Sequence, residues 1–170
     1  MKLREQLLKE HSRANCDTIV AWIADRQERF DELFKLFLSD EYRLVQHAAW
    51  PLSYAVIAHP QLIKKHFGRL IRNLSKPGIH SAVKRNTMRL LQEIDIPATQ
   101  HGRIMDACFS YIADPGEAVA VKAFSLTVLE KLSDRYPDIV PEIKLLIEEN
   151  YGRETPAFRV RAKKFLRKHP

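Results

Sequence analysis

Four valines, three followed by a cation and one by glutamine, return at nearly constant spacing. Val45-Gln46, Val83-Lys84, Val121-Lys122 and Val160-Arg161 lie 38, 38 and 39 residues apart. A period of this length repeats a supersecondary unit, because a repeat within one helix or strand would be far shorter. Upstream of each valine sits a turn: Ser39-Asp40, Ser75-Lys76-Pro77-Gly78, Asp114-Pro115-Gly116 and Tyr151-Gly152. These residues stop or cap helices, glycine by tolerating positive φ and serine or aspartate by offering a side-chain acceptor to free N–H groups. Downstream of the first three valines stand Pro60, Pro97 and Pro137. A proline cannot continue a helix but can open one, so each marks a handover to the next unit.

Between these punctuation marks the apolar residues follow the helical period, and no stretch shows the strict alternation of a half-buried strand. Ile63, Phe67, Leu70, Ile71 and Leu74 share one stripe, while Lys65, Arg69 and Arg72 fall on the opposite face. The pattern predicts helices near residues 2–10, 15–38 with a break near Asp25, 42–58, 61–75, 80–94, 98–113, 117–134, 138–150 and 156–168. A chain of 170 residues with 45% hydrophobic residues can bury a self-sufficient core, so neither disulfide nor metal is needed to hold it.

Two helices in about 40 residues is the period of HEAT and armadillo repeats. Asp114-Pro115 followed by Val121-Lys122 and Leu129 resembles the HEAT pattern of a turn, a Val-cation pair and a leucine. The resemblance covers about residues 30–170 and implies an all-α fold, an α-α superhelix of about four stacked helix pairs. The pairs run approximately over 30–59, 60–96, 97–136 and 137–170 of a single domain. Residues 1–29, with Leu3, Leu7, Leu8, Ile19, Val20, Trp22 and Ile23, supply an N-terminal helical cap. In the last unit Phe158, Ala162, Phe165 and Leu166 form a stripe that leaves Val160 to one side, which marks that unit as a cap with its own packing.

In solenoids of this family the second helix of each pair lines the concave face. On a helical wheel, positions two, six and nine after each valine point away from the core stripe. These are His47, Pro51 and Tyr54, then Arg85, Arg89 and Gln92, then Ala123, Thr127 and Glu130. Arg85 and Arg89, one turn apart, can meet carboxylates or phosphates, with Tyr54 or Trp50 beside them for stacking. Lys122 and Arg161 admit the same reading, or a ladder of polar contacts between adjacent turns. Lys164 belongs to a basic, amphipathic tail that is either a ligand surface or a docked terminal helix. Trp50, Met88, Leu126 and Phe165, at the fifth position of every unit, read as packing between repeats.

Charge is uneven along the chain, whose net charge is +7. Residues 61–92 hold eight Lys and Arg and no Asp or Glu, and residues 151–170 hold seven against one, while residues 93–150 hold five against eleven. Such blocks steer acidic partners or are simply solvated.

Signatures of chemistry are missing. There is no His-Glu-x-x-His pair, no closely spaced cysteine pair, no phosphate-binding glycine loop and no Gly-x-Ser-x-Gly elbow. No cofactor or metal is expected. Cys108 reads as a buried thiol, whereas Cys16 near a helix start is a candidate for a lowered pKa. A carboxylate pair for acid-base work can be imagined from Glu93, Asp95 and Asp106, although acids in an acidic stretch are usually solvated. The uncharged run from Leu44 to Ile63 is long enough to span a bilayer but carries Gln46, His47, Pro51, Ser53, His59, Pro60 and Gln61, which points to a helix wrapped by other helices. With two cysteines and no leader pattern, the expected location is the cytoplasm. The expected function is a non-enzymatic module that holds an acidic protein or peptide on its concave face. The alternatives are nucleic-acid backbone binding through a basic groove and an enzyme of unrecognised type.

Overall fold

The computed structural model describes all residues, Met1–Pro170, and contains only helices and turns. Ten α-helices follow one another: α1 Leu3–Lys9, α2 Arg13–Ile23, α3 Gln27–Phe37, α4 Tyr42–Ala58, α5 Phe67–Asn73, α6 Ser81–Glu93, α7 His101–Ala113, α8 Val119–Ser133, α9 Val140–Asn150 and α10 Pro156–Lys168. They form two compact units, Met1–Ile94 and Asp95–Pro170, each with its own core.

In the first unit α4 is the central element, with α1, α2, α3 and α6 packed around it. Leu44, Ala48, Ala49, Leu52, Ala55 and Val56 of α4 are buried on nearly all sides. That enclosure explains why α4 runs unbroken through Pro51, although an interior proline removes one backbone hydrogen bond. The break expected near Asp25 within 15–38 is present, and the segment forms two helices, α2 and α3. Ala24 adopts φ 47°, a left-handed conformation that ends α2. Arg29 then donates to the Trp22 carbonyl and stacks over the Trp22 ring at 4.8 Å, which ties α3 to the end of α2.

The segment expected as one helix over 61–75 starts as a 3-10 helix, Pro60–His66, before α5. Its register is fixed by α3: Asp31 receives bonds from Lys65 Nζ at 2.6 Å, His66 Nε2 at 2.6 Å and Gln27 Nε2 at 2.9 Å. Burial alone would raise the Asp31 pKa, but the His66, Lys65 and Gln27 bonds outweigh it and hold the carboxyl down at about 2.

In the second unit α8 packs against α7 and α10, and α7 against α9. His101 locks the start of α7: its Nε2 donates to the Ile96 carbonyl at 2.8 Å while Nδ1 accepts from Tyr136 Oη at 2.9 Å. Thr155 caps α10 by accepting from the Phe158 N–H at 3.4 Å, with Pro156 in the first turn. Phe158, Ala162 and Phe165 are fully buried and Val160 is 66% exposed, as the stripe in the last unit predicts. Met88, Leu126 and Phe165 are likewise core, whereas Trp50 is half-buried with no acceptor for its buried Nε1. Within each unit the second helices of successive pairs lie side by side, α4 on α6 and α8 on α10. The chain is therefore all-α and built of neighbouring helix pairs.

Candidate cationic-aromatic face and comparison with known proteins

Three elements of the first unit bring cations and an aromatic ring together. Four-residue spacing puts Arg85 and Arg89 on one face of α6. The Arg89 guanidinium lies 5.5 Å from the centre of the Tyr54 ring on α4, and Arg13 of α2 lies 4.6 Å from the same ring. Both distances are within range of cation–π attraction. Arg89 also donates to Asn86 Oδ1, which holds its side chain against α6. Arg13 Nε donates to both carboxylate oxygens of Asp17 one turn on, at 2.9 and 3.0 Å, in a pair that stays open to solvent.

Arg85 differs from its neighbours. Its Nε is buried and has no hydrogen-bond acceptor. Its charge acts on several groups: burial comes first and Arg85 adds to it in lowering the pKa of His11 and His80, with His47 also acting on His11. Burial also depresses the Arg89 guanidinium below its ordinary value, and Arg85 pushes the same way while Tyr54 opposes. The face is thus a partly desolvated concentration of positive charge, the arrangement in which an anion gains most.

The remaining predicted binding residues sit in the second unit and are engaged there. Lys122 leaves the set of candidate ligands. Its Nζ is 2.7 Å from Glu154 Oε1, with the side chains 5% and 6% exposed, because Glu154 folds back from the turn before α10. Arg161 donates from Nε to Thr127 Oγ1 at 3.0 Å and lies 5.5 Å over the Phe124 ring, bridging α10 to α8. Lys164 pairs with Glu130 at 3.3 Å and Lys168 with Asp134 at 2.5 Å. Of the two readings open for these cations, the polar ladder between adjacent helices describes their geometry, and the basic tail is a docked helix.

Several wheel positions are covered instead of open. His47 and Pro51 are buried beneath the N-terminal helices, where His47 Nδ1 donates to the Leu7 carbonyl at 2.6 Å. Ala123 and Glu130 are buried too. Cys16 does not have a lowered pKa: burial within α2 pushes it up to about 11, and burial pushes Cys108 to about 12. Glu93, Asp95 and Asp106 are exposed. No group of three or more His, Cys, Asp or Glu side chains is placed to hold a metal ion. No helix is long and apolar enough to cross a membrane. Arg13 is the functional candidate that the sequence does not reveal, since only the packing of α2 on α4 brings it to Tyr54.

No curated protein and no solved structure matches the chain. A family model described as a HEAT repeat domain matches residues 3–169, which spans both units and every valine of the repeat. On that match, and on the helix pairs that carry it, the chain belongs to the HEAT repeat family.

Proposed function

We propose that the protein is a non-enzymatic interaction module that holds an acidic segment of a partner protein against the face formed by Arg13, Tyr54, Arg85 and Arg89. The HEAT repeat assignment supports a scaffold role. The single observation that carries the acidic partner is Arg85, a guanidinium with a buried, unpartnered Nε one helical turn from Arg89. Burying a donor without an acceptor costs about 1–3 kcal/mol, and more for a charged group. A carboxylate fits that vacancy in charge and in fork geometry, and Tyr54 offers apolar area beside it.

The distribution of charge favours peptide over nucleic acid. Affinity for a nucleic-acid backbone grows with the number of phosphates that open cations neutralise, and falls steeply with salt. In the second unit Lys122, Lys164 and Lys168 each face an acid of their own unit, so these three are engaged within the protein itself. Cys16 and Cys108 are free and buried, which suits a reducing compartment such as the cytoplasm.

The test is fluorescence anisotropy with a labelled Glu/Asp-rich peptide and with labelled single- and double-stranded DNA and RNA, from low to physiological salt. The expected result is peptide binding that outlasts nucleic-acid binding as salt rises. Preference for DNA or RNA, with a steep log-log salt slope, contradicts the proposal.

A further inference from the structure

A second feature of the first unit lies away from the arginine face, where two inter-helix turns meet. Ser39 and Asp40, the start of α4, the end of α5 and the turn 76–80 enclose an open cleft of about 180 Å³. Ligand pockets of cofactor size hold about 300–1,000 Å³, so this cleft admits one side chain and not a whole cofactor. Its walls include the apolar side chains of Phe37, Val45 and Val83. At its mouth stands Tyr42, 69% exposed although large and apolar, with its ring 4.3 Å from that of His80.

Two polar residues, Asn73 and Ser39, stand in the wall of the cleft. Asn73 lines the cleft and is 5% exposed, and its backbone carbonyl accepts from the Lys76 N–H at 3.3 Å. The Ser39 hydroxyl is buried without a partner. Unmet buried polar groups are rare, and the Ser39 hydroxyl on this small cleft marks a place where a ligand can supply the missing bond. A carboxamide presents a donor and an acceptor together, which matches the C=O and N–H of a peptide backbone. Outside the cleft Asn73 and Lys76 also line a shallower depression with Leu38, Arg69 and Arg72. Apart from Leu38 this shelf belongs to residues 61–92, which contain no acid.

We infer that this cleft is an anchor site for an acidic peptide, taking one apolar side chain between Phe37, Val45 and Val83 while Asn73 bonds the peptide backbone. Carboxylates flanking that side chain lie along Arg72 and Lys76. Asp40, on the opposite turn, sets the direction by repelling the acidic flank. The partner class rests on the acidic-peptide reading above; the site does not, since it shares no residue with the arginine face.

The test compares two labelled Glu/Asp peptides that differ only in a central leucine or glycine. The leucine peptide is expected to bind the wild-type protein about tenfold more tightly. Tyr42→Ala, an exposed position that leaves the core intact, brings that ratio close to one, and Asn73→Leu weakens both peptides. Arg85→Glu/Arg89→Glu weakens both peptides and keeps the ratio. In NMR spectra the Asn73 side-chain amide shifts with the leucine peptide. Equal affinities that still depend on Arg85 and Arg89 overturn the cleft and leave the arginine face standing. Failure of both peptides to bind overturns both. Equal preference for a lysine-flanked leucine overturns the acidic partner. Self-association lost in Tyr42→Ala replaces the peptide with a second copy of the chain.

Discussion

Lys122 and Glu154 form a buried ion pair across 32 residues of chain, Nζ to Oε1 at 2.7 Å, with almost no access to water. The lysine that follows the repeat valine is thereby a structural element joining α8 to the turn before α10. Removing either partner leaves an uncompensated buried charge, which costs about 3–5 kcal/mol. Lys122→Met and Glu154→Gln are each expected to destabilise the protein on that scale in urea denaturation. The double variant Lys122→Met/Glu154→Leu is expected to recover a large part of the loss, because neither charge is then stranded.

The outer cations of α10 behave differently. Lys164 is 67% exposed, so its pair with Glu130 is screened by solvent. Lys164→Ala is expected to change stability by less than about 1 kcal/mol in the same measurement. It is also expected to leave acidic-peptide affinity unaltered, since the proposed face is in the other unit.

His11 and His80 give the first unit a pH dependence. Burial, assisted by Arg85, lowers both from the ordinary 6.5, so the unfolded chain binds more protons than the folded one once pH falls below that value. Their contribution to stability is present above pH 6.5 and is lost as pH falls through the lowered folded values. Urea denaturation between pH 7.5 and pH 5, about the span over which imidazoles titrate, is expected to show declining stability. Arg85→Gln is expected to flatten that decline by removing one cause of both shifts.

Cys16 and Cys108 are expected to resist a thiol reagent such as Ellman's reagent in the native state and to react fully in denaturant. Their pKa values, about 11 and about 12, leave almost no thiolate at neutral pH. Rapid native labelling of either thiol contradicts this account of their burial.

Much of the fold is legible in the sequence because the signals that define it are local. The residues of α4 and α10, 42–58 and 156–168, follow from periodicity and from their flanking turns. The exposure of Val160 follows from the stripe of Phe158, Ala162 and Phe165. Val160→Thr is accordingly expected to alter stability by no more than about 0.5 kcal/mol. Phe165→Ala is expected to cost about 3–5 kcal/mol. What the sequence hides is tertiary. A wheel drawn for α4 leaves His47 open because it carries no knowledge of Leu7, whose carbonyl accepts a hydrogen bond from His47 Nδ1 forty residues away. The same limit hides the acid partner of Lys122, the pairing of Arg13 with Tyr54, and the cleft at Asn73. Each depends on which helix covers which, and no local pattern encodes that.

The central claim is that Arg85 and Arg89 carry the interaction. The direct measurement is the affinity of a labelled Glu/Asp-rich peptide for the wild-type protein, for Arg85→Glu/Arg89→Glu and for Lys164→Glu/Lys168→Glu, with folding checked by circular dichroism. A loss of at least about tenfold, near 1.4 kcal/mol, is expected for the α6 variant and little change for the α10 variant. Equal losses in the two variants, or none in the first, would contradict it.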